Sequence, residues 1–174
     1  MKTLFVLDKK DYDTSWRRSS RPSVRAVILS GERIAMVYSR KYDYYKFPGG
    51  GIEKGEDHTS ALIREVREET GLSVIPESIR GFGLVIRLNK SNKEPETIFS
   101  QENYYYFCET EGEAGEQSLD DYEDEEGFCL RYILPAEGIE VNRTHDHQGY
   151  DDALTEREAR VLEMLGGQKK LWMK

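Results

Sequence analysis

The sequence predicts an α/β fold, and three observations carry that reading. Two apolar runs, Val24 to Ser30 and Ile34 to Tyr38, are separated by a Gly31-Glu32 turn, the signature of a β-hairpin. Two further strand-like runs, Gly81 to Leu88 and Thr97 to Cys108, are joined by a polar loop containing Pro95 and are expected to pair. Two stretches instead carry helical spacing: His58 to Gly71, and Leu154 to Leu165 with apolar residues at 154, 159, 161, 162 and 165.

Taken in order, the hairpin comes first, followed by a glycine loop and the first helix. Asp57 is placed to cap that helix at its start and Gly71 to close it in the left-handed conformation. The paired strands come next, then an acidic run from Glu109 to Glu126, a late strand over Phe128 to Ile133, and the last helix. The acidic run has no periodicity and reads as a solvated, mobile loop.

A chain of 174 residues with 37% hydrophobic content suits one globular domain, here residues 1–174. The net charge of −8 is local: the Glu109–Glu126 run holds ten acids and no base, and removing those ten leaves about +2 for the rest. No basic face of the kind that binds nucleic-acid polymers stands out, so the expected partner is a small molecule. Cys108 and Cys129 fall in strand-like runs without metal-site spacing and read as free thiols in a reducing, cytoplasmic setting. The opening apolar run of four residues is too short for a secretory segment, and no stretch is long enough to span a bilayer, so no membrane partner is expected.

The stretch FPGGGIEKGE, Phe47 to Glu56, is too rich in glycine for an ordinary strand or helix, which leaves either a plain turn or a loop that approaches a ligand closely. The helix that follows bears on the choice. With Glu65 at zero and about 100° per residue, Glu68 falls near −60° and Glu69 near +40°, while Leu62, Val66 and Ile63 fall near 60°, 100° and 160°. The carboxylates therefore border the core stripe instead of facing solvent opposite it, where Arg67 does lie. Like charges on one arc destabilise a helix unless a cation compensates. An all-oxygen donor set suits a hard divalent ion, Mg²⁺ in particular, with Glu56 reaching in from the loop.

Residues Gly50 to Leu72, GGIEKGEDHTSALIREVREETGL, resemble the Nudix box GX5EX7REUXEEXGU at every fixed position: Gly50, Glu56, Arg64, Glu65, Val66, Glu68, Glu69, Gly71 and Leu72. The resemblance implies an α/β/α sandwich with a mixed sheet. It also implies hydrolysis of a nucleoside diphosphate linked to another group, with Mg²⁺ or Mn²⁺. By position, Glu65, Glu68 and Glu69 would ligate metal and the Gly49 carbonyl would add a further ligand. Glu56 would ligate a second ion or hold Arg64, and Arg64 would orient a carboxylate. Gly49, Gly50 and Gly51 would bring the backbone onto metal and diphosphate.

Family members place the general base either in the box or on a late loop, where Glu123, Glu125 and Glu126 stand here; the base stays open. A proline that marks ADP-ribose hydrolases is replaced by Arg87 and Leu88, and by elimination the substrate class is a nucleoside triphosphate, cleaved by pyrophosphohydrolysis. The alternatives are an ADP-ribose or nucleotide-sugar pyrophosphatase and a non-catalytic nucleotide sensor, against which the intact box carboxylates argue. The reading leaves room for a homodimer. Tyr104, Tyr105 and Tyr106 offer base-stacking rings, and the acidic run is expected to act as a partial lid.

Overall fold

The computed structural model describes residues 1–167. A five-stranded mixed sheet holds β1 (Thr3–Asp8), β8 (Arg80–Lys90), β9 (Thr97–Phe107) and β2 (Arg17–Ser20) in that spatial order, with β3 (Ser23–Val27) also on β9. β8 and β9 pair as expected, and do so antiparallel, whereas β1, β2 and β3 all run parallel to their neighbours. The long β9 is shared end to end: Thr97 to Ser100 take β2 and Asn103 to Phe107 take β3. The interruption between β2 and β3 is Arg21-Pro22, where proline removes a ladder donor.

A second sheet centres on β5 (Arg33–Ser39), flanked by β11 (Cys129–Ile133) on one side and by β4 (Leu29–Ser30) and β6 (Tyr44–Lys46) on the other. The sequence places Val24 to Ser30 in one hairpin strand. Instead the run changes sheet at Ile28, and only Leu29 and Ser30 pair back onto β5, across a turn in which Gly31 has φ 59°. An unbroken apolar run carries no mark of such a switch, because every residue from Ser23 to Ile28 is buried whichever sheet holds it.

Alternate side chains of these strands feed two cores. On one face Val24, Ala26, Ile28 and Ala35 pack with Ala61, Leu62 and Val66 of α1 (His58–Thr70). On the other, Val27, Ile34 and Met36 pack with Val161, Leu162 and Leu165 of α4 (Asp152–Gly167). This is an α/β/α sandwich, with α3 (Pro135–Thr144) packed beside α4.

The acidic run departs from expectation. After the short β10 (Thr110–Glu111), which pairs with β7 (Ser73–Val74), it docks on α1 and then forms α2 (Asp121–Glu126). Glu123 and Glu126 are buried, not solvated. Glu123 completes a capping box with Asp120, and Gly127 closes the helix at φ 66°. Among the described residues no helix is long and apolar enough to cross a membrane.

Candidate active site

The glycine loop is laid along β3 by its own backbone. Val24 N–H donates to Gly50 O and Ala26 N–H to Pro48 O, at 3.0 and 2.8 Å. Gly49 adopts φ 136°, and a Cβ there would lie 2.1 Å from the Val24 carbonyl oxygen, so its lack of a side chain permits the close approach of loop to strand. Gly50 serves a different contact: a Cβ would sit 2.3 to 2.6 Å from the Glu65 carboxyl group. The Gly51 carbonyl accepts from Arg64 Nη2 at 3.1 Å, and the Arg21 guanidinium lies against its open face.

α1 starts and stops as its sequence dictates. The Asp57 side chain accepts from Ser60 N–H at 2.9 Å, and Gly71, at φ 72°, donates to Arg67 O at 2.9 Å. The helix brings Glu65, Glu68 and Glu69 to the loop, but in two separate settings.

The outer setting is organised by Arg64. Its guanidinium donates from Nε and Nη2 to Glu56 at 2.9 and 2.8 Å, and from Nη1 to Glu65 at 2.8 Å and Glu68 at 3.2 Å. The bidentate fork on Glu56 uses a geometry that lysine cannot supply. Glu56 is held below the usual carboxylate range, chiefly by the Arg64 hydrogen bonds. Glu65 is pushed up by burial, against the pull of Arg64. The side chain of Glu68 is 39% exposed and is the most open of the three.

The inner setting surrounds Glu69, which is 1% exposed. One carboxylate oxygen takes Lys46 Nζ at 2.5 Å and the other takes Gly49 N–H at 2.9 Å. Burial pushes the Glu69 carboxyl up to about 7, and Lys46, Arg25 and the Gly49 amide oppose that rise. The Gly49 carbonyl accepts from Arg25 Nη1, and the buried Arg25 Nε has no hydrogen-bond partner among the described residues. In this arrangement Glu69 and the Gly49 carbonyl face side-chain cations, while Glu56, Glu65 and Glu68 surround one guanidinium. The sequence reading missed Lys46 and Arg25, each a single cation within an otherwise uncharged strand segment.

Among the described residues no three His, Cys, Asp or Glu side chains converge on a metal point. The outer donor set nevertheless fits a hard divalent cation in kind. It is all oxygen, and three carboxylates around a single guanidinium carry an excess of about two negative charges.

The late carboxylates serve the fold. Glu123 accepts from Asp120 N–H and the Tyr122 hydroxyl, Glu126 from Ser39 and Tyr44, and Glu125 pairs with Lys41 on the surface. Of the three tyrosines, Tyr105 is core and donates to Glu158, while Tyr104 and Tyr106 pack against His58. His145 pairs with Asp43 and His147 bonds backbone carbonyls. Both cysteines are free; burial pushes the Cys108 thiol up to about 12.

An α/β/α sandwich with a glycine loop clamped to an arginine and carboxylate helix defines a class, and comparison with known proteins agrees. The model of the NUDIX domain matches residues 19–154, so the chain belongs to the Nudix family. An RNA pyrophosphohydrolase of a Nitratiruptor species is 38% identical over 65 residues, 34% of this chain and 42% of that one. Nudix hydrolase 25 of Arabidopsis thaliana is 41% identical over 54 residues, 30% of this chain and 31% of that one. The matched stretches thus span less than half the length of these curated relatives. Among solved structures, a MutT NUDIX hydrolase from Burkholderia pseudomallei superposes with a TM-score of 0.57 at 18% identity, covering 83% of this chain and 97% of that one. A NUDIX hydrolase from Nitrosomonas europaea gives 0.57 at 19% identity over 85% and 90%. At these identities the two structures bear on the fold alone.

Proposed function

We propose that the protein hydrolyses a phosphoanhydride bond in a nucleoside diphosphate-linked compound, using Mg²⁺ or Mn²⁺, and that its substrate is a nucleoside triphosphate cleaved to monophosphate and pyrophosphate. The observation that carries the reading is the Arg64 cluster: Glu56, Glu65 and Glu68 gathered on one guanidinium and roofed by the glycine loop.

The chain's own residues divide the work. Arg64 fixes three carboxylates and, through the Gly51 carbonyl, the loop above them. Lys46 and the Gly49 amide hold Glu69 so that loop and helix keep a constant separation. Such preorganisation matters because phosphoryl transfer depends mostly on positioning and charge stabilisation. Glu56, Glu65 and Glu68 are the residues that would hold the divalent ion, and Glu69 and the Gly49 carbonyl, which here already pair with Lys46 and Arg25, keep a further lone pair on each oxygen with which to join. When bound, the ion supplies charge neutralisation for the diphosphate and a lowered pKa for water. Arg21, exposed beside Gly51, adds a cation at the loop's outer face.

A second reading, a 5′-triphosphate at the end of an RNA, is favoured by the RNA pyrophosphohydrolase names of relatives in Nitratiruptor and Campylobacter jejuni. The test is a panel of nucleoside triphosphates, ADP-ribose, nucleotide sugars and a 5′-triphosphorylated oligoribonucleotide, each with Mg²⁺ or Mn²⁺ and scored for phosphate and pyrophosphate. Pyrophosphate release from free nucleoside triphosphates is expected. Turnover of the oligoribonucleotide alone would replace the first reading with the second, and no turnover of any compound would overturn both.

A further inference from the structure

α2 presents an aromatic ring that neither the core nor the candidate catalytic cluster uses. Tyr122 is 56% exposed, although it stands only one residue from the buried Glu123. Its ring meets Phe128 edge-on, with centroids 6.4 Å apart at 83°. The Phe128 ring in turn lies 4.5 Å beneath Lys46 Nζ, which holds Glu69. The Phe128 ring and the Lys46 ammonium therefore link Tyr122 to the inner carboxylate of the candidate site.

The ring is held in place. Its hydroxyl donates to Glu123 Oε1 at 2.8 Å, and Glu123 Oε2 accepts the Asp120 amide at 3.0 Å. Burial and the Glu123 hydrogen bond push the phenol up. α2 itself is anchored at both ends. The segment before it docks on the C-terminal turn of α1, with Ser118 N–H donating to Glu68 O at 2.9 Å and the Gln117 side chain donating to Glu69 O. Glu126 ties the other end to Ser39 and Tyr44.

We propose that Tyr122 is a specificity residue on which the nucleobase of the substrate stacks while the phosphates lie at the glycine loop and α1. This rests on the nucleoside triphosphate reading above. Charge selects the occupant: the exposed Asp120, Asp121 and Asp124 flank Tyr122 along the chain and repel a polyphosphate, so the neutral end of such a substrate is the part that fits. Tyr104 and Tyr106 are poorer platforms, being half-buried and packed against His58. An aromatic face stacks any base, so the site favours nucleotides over base-free polyphosphates without choosing strongly among bases.

The experiment compares wild type, Tyr122→Ala and Tyr122→Phe. It measures the Kd of a non-hydrolysable α,β-methylene nucleoside triphosphate and of inorganic tripolyphosphate by calorimetry, alongside KM and kcat for the parent nucleotide. Tyr122→Ala is expected to weaken nucleotide binding and raise KM by about tenfold or more in a protein that stays folded, with tripolyphosphate affinity unmoved, and Tyr122→Phe is expected to restore most of the loss. Equal weakening toward both ligands, or a Tyr122→Ala protein that binds the analogue as wild type does, would overturn the proposal. Wild type that neither binds nor hydrolyses any nucleoside triphosphate would refute the nucleotide reading itself, and the proposal with it.

Discussion

Gly50→Ala adds one carbon atom at the point where the glycine loop and α1 meet. Gly50 is not among the positive-φ glycines, so alanine is compatible with its backbone and the perturbation is steric. The new Cβ would lie 2.3 Å from Glu65 Oε2, against an ordinary contact of 3.4 Å or more, so the carboxylate or the loop must yield by about 1 Å. Glu65 is the softer partner because its carboxylate ends a flexible chain, yet Arg64 restrains it at 2.8 Å. Overpacking of this kind costs about 1–3 kcal/mol, a drop of a few degrees in Tm. Misplacement of a reacting group by about 1 Å costs far more in rate, on the order of 10²-fold in kcat/KM. The assay pairs pyrophosphate release with thermal melting followed by circular dichroism. A folded variant with kcat/KM within about threefold of wild type would refute the idea that Glu65 must hold its position beneath the loop. Gly49→Ala is the contrasting case, because its Cβ meets backbone at 2.1 Å with φ at 136°, and it should fail by misfolding.

Two further outcomes follow from the ion pairs. Lys46→Met leaves Glu69 buried without its cation and should lower stability by about 3–5 kcal/mol, read from the urea midpoint; a change below about 1 kcal/mol would mean that the pair is not closed in solution. Arg64→Lys keeps the charge but loses the fork on Glu56 and the simultaneous reach to Glu65, Glu68 and Gly51, so kcat should fall by about 10²-fold while Tm moves by only a few degrees, and wild-type kcat would show that charge alone suffices.

How much of this was legible in the sequence depended on whether a signal was local. The caps of α1 at Asp57 and Gly71, the pairing of β8 with β9, the Gly31 turn and the position of α4 all follow from neighbouring residues and periodicity. The core-bordering arc of carboxylates was equally plain, and Glu69 lies where the helical wheel puts it. β1 and β2 were not read, because parallel strands are partnered by distant segments and neither has an alternating pattern of any length. α2 escaped notice as a six-residue acidic helix without an apolar stripe, although Asp120 with Glu123 is a capping-box spacing and Gly127 a terminator. α3 announced itself only through Pro135 at its first turn. Lys46 and Arg25 could not be recognised as site residues, since a cation becomes a partner of Glu69 or Gly49 only once β3, β6 and α1 have converged.

The central claim is that the carboxylates on Arg64 are the catalytic apparatus, and Glu68→Gln tests it most directly. Glu68 is the most exposed of the three and meets Arg64 through a single 3.2 Å contact, so its amide should leave the fold intact. The measurement is pyrophosphate release from a nucleoside triphosphate at saturating Mg²⁺ by wild type and Glu68→Gln, with matched melting curves. The account predicts a fall in kcat of about 10²-fold or more at unchanged Tm. Wild-type turnover by the folded variant would contradict it.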